Sequence, residues 1–376
     1  MKQLQILLLT GILTSSIACK KALVPESVSL SAKESVFTTM SQGGPNLTGY
    51  TFFGQDDFNG TGLDTSIWDY KGLGSLRNNI VSFDSLSATN VTVSNGKLHL
   101  TIDHLHDNVY SAAMISTERH PQYNFKYGYF EIKAKLPQRY GNVSAFWLQS
   151  PTMTLGDNGQ TILIPNPSVR GVEVDIFEYA RTSSENTLYH TLHWNGYSDL
   201  NHKKFGPAVS TLSYSPDGYH TFGLEWTPSS YIVYVDGAVA VQADTAISRV
   251  PEFLILSIGT GGFGGDPAAA NAIFPDTFDV EYVKVYKRNP SVTVYGDCEG
   301  YGWISQPITP GSYTTAQLAA LGVINNQASS IEVPAGWLVT IYDGDNFTGE
   351  SITINADVAC SSVWNDRLSS IVITAP

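Results

Sequence analysis

Three carboxylates, Glu173, Asp175 and Glu178, fall within the nine residues Gly171 to Tyr179 (GVEVDIFEY), set among Val, Ile, Phe and Tyr. Acids alternating with β-branched residues read as a strand with one apolar and one acidic face. Like charges a few ångströms apart resist joint ionisation, so such a face is electrostatically costly. Glu173 and Asp175 leave the same side of a regular strand, whereas Glu178 points the other way. One extra residue between Asp175 and Glu178, a β-bulge, brings all three to one side, and bulges are over-represented beside active sites. An ionised glutamate and a protonated one, facing each other across a substrate, are the pair that cleaves glycosides. Retaining enzymes hold that pair roughly 5–5.5 Å apart. An aspartate between the two can hydrogen-bond the first and help drive their pKa values apart. On spacing alone an acidic, solvated strand satisfies the same pattern, and both readings stand at this point.

The elements that must position these acids are strands. Val91 to Ile102 (VTVSNGKLHLTI) reads strand, Asn-Gly turn, strand, and Tyr231 to Val241 repeats that logic around Asp236-Gly237. In Phe130 to Leu136 the residues Phe130, Ile132, Ala134 and Leu136 share one face, with Glu131, Lys133 and Lys135 on the other. With no sustained helical period, this density of strands predicts an all-β sandwich. The 376 residues carry a net charge of −13, which argues against nucleic acid or an anionic membrane surface as partner. Only 15% of residues are charged while Gly, Tyr, Phe and Trp are plentiful, a balance suited to an extracellular β-protein that contacts sugars through aromatic rings. Three cysteines do not make a disulfide scaffold.

The ExDxxE pattern is accompanied, in order, by YGYFEIKAKLP from Tyr127, AFWL from Ala145, TLHW from Thr191, HTFGLEWTP from His220 and YVDG from Tyr234. As a set these resemble glycoside hydrolase family 16 of the bulged, laminarinase and agarase type, over roughly Tyr50 to Arg288. The resemblance implies a concanavalin-like jelly roll of two curved antiparallel sheets with a sugar-binding cleft across the concave one. It implies Glu173 as nucleophile, Asp175 as its modulator and Glu178 as general acid/base, with no metal in the chemistry. It also implies substrate contacts from Trp147, His193 and Trp194, and a structural role for Trp226. Gly259 to Gly264 (GTGGFG) satisfies GxGxxG, but Asp266-Pro267 and Pro275 follow where a dinucleotide site needs a helix. The family has a cleft-side glycine loop there, with Phe263 where a Trp is frequent. Glu281 matches an acidic position near a structural calcium in relatives.

Outside that region, residues 1–18 read as a signal peptide, with an apolar run too short and too broken to span a membrane. Cys19 follows Ala18 as in a bacterial lipobox, which makes it the expected site of lipidation and the only expected link to a membrane. Residues 19–49, rich in Ser, Thr, Pro and Gly, read as a flexible tether. Residues 292–376 contain YDGDNFTG from Tyr342 and two similar hexapeptides, NNQASS (Asn325 to Ser330) and NDRLSS (Asn365 to Ser370). This duplication resembles a small Greek-key βγ-crystallin domain. The resemblance implies calcium held by Asn325, Asn326, Ser329, Asn365, Asp366 and Ser369, whose oxygens are the hard ligands that ion prefers. Cys298 and Cys360, one per crystallin repeat, are expected to form a disulfide.

The expectation is thus an exported, monomeric, endo-acting, retaining β-glycan hydrolase, with a polysaccharide as partner, no cofactor in catalysis and structural calcium. A β-1,3(4)-glucanase comes first. Laminarinases usually carry a Trp-Pro pair and a Gly-Glu ahead of the catalytic strand, where PNPSVRGV stands here. An endo-β-galactanase therefore stays open, as does an inert carbohydrate-binding surface protein.

Overall fold

The computed structural model describes residues 44–78, 82–154, 166–180, 186–268 and 274–376. The signal segment, Cys19 and the tether up to residue 43 lie outside the described residues. Two antiparallel layers form the larger part of the chain. In one, Asp276–Arg288 lies between Gly128–Lys135 on one side and Tyr50–Asp56 with Lys97–His106 on the other, and Tyr219–Trp226, Tyr231–Val235 and Ala238–Ala243 extend it. In the other, the order runs Lys203–Thr211, Thr187–Trp194, Val172–Ala180, Asn142–Gln149, Phe253–Thr260 and Val109–Ser116. The chain is an all-β jelly-roll sandwich. Its first strand begins at Tyr50 opposite Arg288, so the two ends of this region are paired.

Alternation places the core between the layers. Phe130, Ile132, Ala134 and Leu136 are buried there against Phe146, Leu148, Val172, Val174 and Phe222. Burying each Val, Leu, Ile or Phe among them stabilises by about 1.5–3 kcal/mol, which is what holds the two sheets face to face. Trp226 is fully buried, as a structural residue must be. Both hairpins turn where the sequence places them: Asn95-Gly96 and Asp236-Gly237 all have positive φ. That is the two-residue turn whose twist matches the flanking strands.

The remaining chain has its own core, including Val292, Val294, Ile331, Val339, Ile341, Trp364, Leu368 and Ile371. Thr293–Tyr295 pairs with Ser330–Glu332, and Gly311–Tyr313, Ser370–Thr374, Leu338–Tyr342 and Ser351–Ile354 form a second small sheet in that order. Its two hexapeptides face one another. Asn326 N donates to Leu368 O and Asp366 N to Ala328 O, each at 3.0 Å. Asn326 and Asp366 share the same left-handed backbone, with φ of 56° at both. Cys298 and Cys360 are joined by a disulfide.

Candidate active site

Val172–Ala180 is the strand on which the site is built, hydrogen-bonded on both sides. Glu173 lies opposite Gln149 and His193, Asp175 opposite Trp147 and Thr191, and Glu178 opposite Ala145 and Tyr189. The register slips between Asp175 and Glu178 against one neighbour and between Asp175 and Phe177 against the other. Ile176 and Phe177 are consecutive and both fully buried in the core. Two successive inward residues leave 173, 175 and 178 facing outward together. The slip takes the Ile176 carbonyl out of the ladder, and His190 meets it, with Nδ1 at 2.6 Å and Nε2 at 2.8 Å from Ser210 Oγ. Burial pushes that imidazole down to about 4, so it stays neutral.

All three acids line one cleft of about 550 Å³ with Trp147, Gln149, Tyr197, Arg77 and the glycine loop Gly259–Phe263. Glu173 Oε2 accepts from Gln149 Nε2 at 3.1 Å and from the Tyr197 hydroxyl. Burial, and after it the Asp175 charge, pushes Glu173 up to about 7. Burial alone raises Asp175 to about 7. Glu178 rises to about 8 through burial and then the charges of Asp175 and Glu173, with His193 and Arg77 opposing. All three carboxyls are raised, so the cluster does not carry three negative charges at neutral pH. His193, whose pKa burial lowers, sets Nε2 3.4 Å from Asp175 Oδ2 and Nδ1 2.8 Å from His202 Nε2, with the two rings stacked. Glu173, Asp175 and His193 each bring a ligand atom within 4.8 Å of the others, a mixed oxygen and nitrogen set. A divalent ion there would displace the protons that the cluster otherwise holds.

Several supports carry no motif. Gly171 has φ of 84°, and a Cβ there would stand 2.1 Å from Ser150 Cβ, so only glycine lets the strand start where it does. Glu252 is fully buried and accepts from Val172 N at 3.0 Å, while burial lifts its carboxyl to about 8. Asp84, also buried, accepts from Thr260 Oγ1 at 2.6 Å and from Thr260 N, pinning the glycine loop. It fits because a Cβ at Gly259 would be 2.3 Å from its Oδ2. We expect Gly171→Ala to cost about 2 kcal/mol or more through the strained φ and the collision. A denaturant midpoint equal to wild type would refute that origin for the strand.

Trp147 lines the cleft, its indole donating to Ser257 Oγ at 3.2 Å. Trp194 does not. It lies opposite Val172 and packs on the core, because adjacent residues of a strand face opposite sides and His193 already faces the acids. Glu281 stands 2.8 Å from Lys133 and 3.4 Å from Lys97. Phe263 is exposed at the cleft, edge-on to Tyr189. In the C-terminal part Ser369 Oγ donates to Asn326 Oδ1 at 3.1 Å across the two hexapeptides. Asn365 Nδ2 donates to Asp366 Oδ2 at 2.9 Å, and Ser329 and Ser369 are buried while Asn325, Asn326, Asn365 and Asp366 are exposed.

Comparison with known proteins gives four findings. The profile of a family described as "Glycosyl hydrolases family 16" matches residues 81–284. The chain is 28% identical over 287 residues to "Glucan endo-1,3-beta-glucosidase A1" of Niallia circulans, covering 65% of this chain and 39% of that protein. It therefore spans well under half the length of that relative. Over 70 residues it is 44% identical to "Development-specific protein S" of Myxococcus xanthus, which covers 18% of this chain and 40% of that protein. Among solved structures the fold is similar to that of SCLam, described as a non-specific endo-β-1,3(4)-glucanase, with a TM-score of 0.51 and 24% identity over 66% of this chain and 95% of that one.

Proposed function

The chain belongs to family 16 of the glycosyl hydrolases, and on that premise we propose that it is an exported, endo-acting, retaining β-glycan hydrolase, with a β-1,3(4)-glucan as first substrate. The observation that carries the reading is the set of three carboxylates on one face of one slipped strand, in an open cleft. Glu173 is the nucleophile and Glu178 the acid/base. Ionised Glu173 attacks the anomeric carbon while Glu178 gives its proton to the departing glycosidic oxygen, so the C–O bond breaks as the glycosyl ester forms. Glu178, now a carboxylate, takes a proton from water, and the water oxygen displaces Glu173 from the sugar. Asp175 lies between the two, and its charge raises both. Trp147 offers an apolar face to a pyranose ring.

The glucan reading draws support from the Niallia circulans relative, named for that activity. An endo-β-galactanase is the second reading, and Arg77 on the cleft wall beside the acids would suit its sulfated substrates. The deciding experiment is a panel of laminarin, mixed-linkage glucan, agarose, porphyran, carrageenan and keratan-type galactan with product sizing. Oligosaccharides from the first two alone support the glucanase. Products only from the galactans, agarose included, support the second reading. Binding without any product overturns hydrolysis in favour of an inert surface lectin.

Residues 50–288 form the catalytic unit on this reading, and 292–376 a βγ-crystallin module that holds structural calcium at the two hexapeptides. Their reciprocal backbone pairing supports it, as does the 44% identity over 70 residues to the Myxococcus xanthus protein. Calcium at 100 times its dissociation constant is expected to stabilise the module by about 2.7 kcal/mol. A melting temperature unmoved by calcium, or moved equally in Asp366→Ala, would count against those ligands. Lipidation at Cys19 would tether a monomer to the cell envelope, and Cys19→Ser would release it.

A further inference from the structure

We propose that the C-terminal module positions the catalytic strand, acting through a clamp on Asn166, and that Glu299 and Tyr301 are positioning residues for the reaction. The proposal rests on the hydrolase reading for its kinetic consequence, though not for its structural one. Asn166 is nearly fully buried at the head of the single-turn helix Pro167–Arg170, which runs directly into Gly171 and the acidic strand. Its Oδ1 accepts from Ser168 N at 2.9 Å, its carbonyl accepts from Arg170 N at 3.0 Å, and Pro167 O accepts from Gly171 N at 2.8 Å. The turn is thus rigidly linked to the start of the strand.

Both functional atoms of the Asn166 amide also reach across to the C-terminal module. Nδ2 donates to Glu299, and Oδ1 accepts from the Tyr301 hydroxyl at 3.2 Å. Glu299 sits on a tight turn beside Cys298, whose disulfide to Cys360 holds the turn against the Ala359 carbonyl, which accepts from Glu299 N. Arg249 closes the clamp from the catalytic side. Its backbone N donates to Ser168 O at 3.3 Å, while its guanidinium donates to Gly300 O at 2.5 Å and to the Tyr295 hydroxyl at 2.8 Å. Gly300 admits it, since a Cβ there would stand 2.1 Å from Arg249 Nε. Removing Glu299 leaves a buried amide donor without its acceptor on the element that sets where Glu173 begins. Displacements on the order of 1 Å at a reacting group can cost about 100-fold in rate.

The test uses the full chain. Glu299→Ala and Tyr301→Phe are compared with Glu299→Gln, whose amide oxygen still accepts from Asn166. The control is Lys126→Ala, which breaks another contact with the module, the 3.2 Å pair with Asp357, without touching Asn166. We expect hydrogen exchange over residues 166–174 to quicken in Glu299→Ala and Tyr301→Phe, and not in Glu299→Gln or Lys126→Ala. On a cleaved polymer kcat should fall about 5- to 10-fold in the first two with KM within about twofold of wild type, as for a group that positions the chemistry and not the ligand. Unchanged exchange in Glu299→Ala, or quickened exchange with unchanged kcat, overturns the proposal. An equal fall of kcat in Lys126→Ala overturns it too, by reducing the effect to general loosening. If the wild type cleaves nothing, the hydrolase reading fails, and exchange alone then decides the clamp.

Discussion

Glu173→Gln is expected to bind the polymer and leave it intact, with kcat lower by roughly 10⁴-fold or more, the scale on which loss of a catalytic side chain usually registers. Glutamine keeps the volume and can still accept from Tyr197, so the site's shape survives while the attacking oxygen is gone. A second consequence needs no substrate. Folded Glu173 holds its proton up to about 7, well above the ordinary glutamate value of 4.5. Between those values the native state binds more protons than the unfolded chain, so stability falls as pH rises through that window. Below pH 4.5 both states are protonated and nothing is lost; above about 7 the full cost is present, about 3 kcal/mol. Glu173→Gln removes the term, so it should match wild type near pH 4 and exceed it near pH 8. Melting temperatures across that range test this directly. A mutant no more stable than wild type at pH 8 would mean that the carboxylate is not buried as the structure has it, and turnover at the wild-type rate would end its assignment as nucleophile.

Glu178→Ala should separate the two halves of the reaction. Loss of a general acid typically costs about 10²–10⁴-fold, and only where the leaving group needs the proton. Cleavage of the natural polymer should fall by that factor, while an aryl glycoside with an acidic phenol should still form the glycosyl ester. Azide, which attacks without giving up a proton, should then restore release and yield a β-glycosyl azide. The pH profile carries an independent signature. Wild-type kcat/KM should rise with the deprotonation of Glu173 near 7 and fall with that of Glu178 near 8. Such closely coupled limbs belong to the pair and not to single residues. In Glu178→Ala the falling limb should vanish for the aryl substrate. A falling limb that persists there unchanged would assign the acid role elsewhere.

What could be read in the chain alone was local. The adjacency of Ile176 and Phe177 inside an otherwise alternating run signals the slip that turns Glu178 outward. The two turns were legible because Asn-Gly and Asp-Gly tolerate positive φ. Alternation, followed one strand further, would also have turned Trp194 inward, since His193 beside it faces the acids, and would have marked Gln149 as a cleft residue from Trp147. Other residues could not be found that way. Glu252 meets Val172 across 80 positions and Glu299 meets Asn166 across 133, contacts created by loops and by the docking of a second core. Tyr197 and His202 sit beyond the end of a strand, where no period governs which way a side chain faces.

The extra residue in the acidic strand also bears on what this gene can become. Loss of the single codon for Ile176 would restore strict alternation, with Val174, Phe177 and Tyr179 inward and Glu173, Asp175 and Glu178 still outward. The three acids would stay on one face without any of them entering the core. That step would remove the fully buried Ile176 side chain from the core, and it would also take from His190 the carbonyl it now meets at 2.6 Å, leaving a buried, unpaired nitrogen. Such an orphan costs about 1–3 kcal/mol, which a small apolar replacement at position 190 would largely remove.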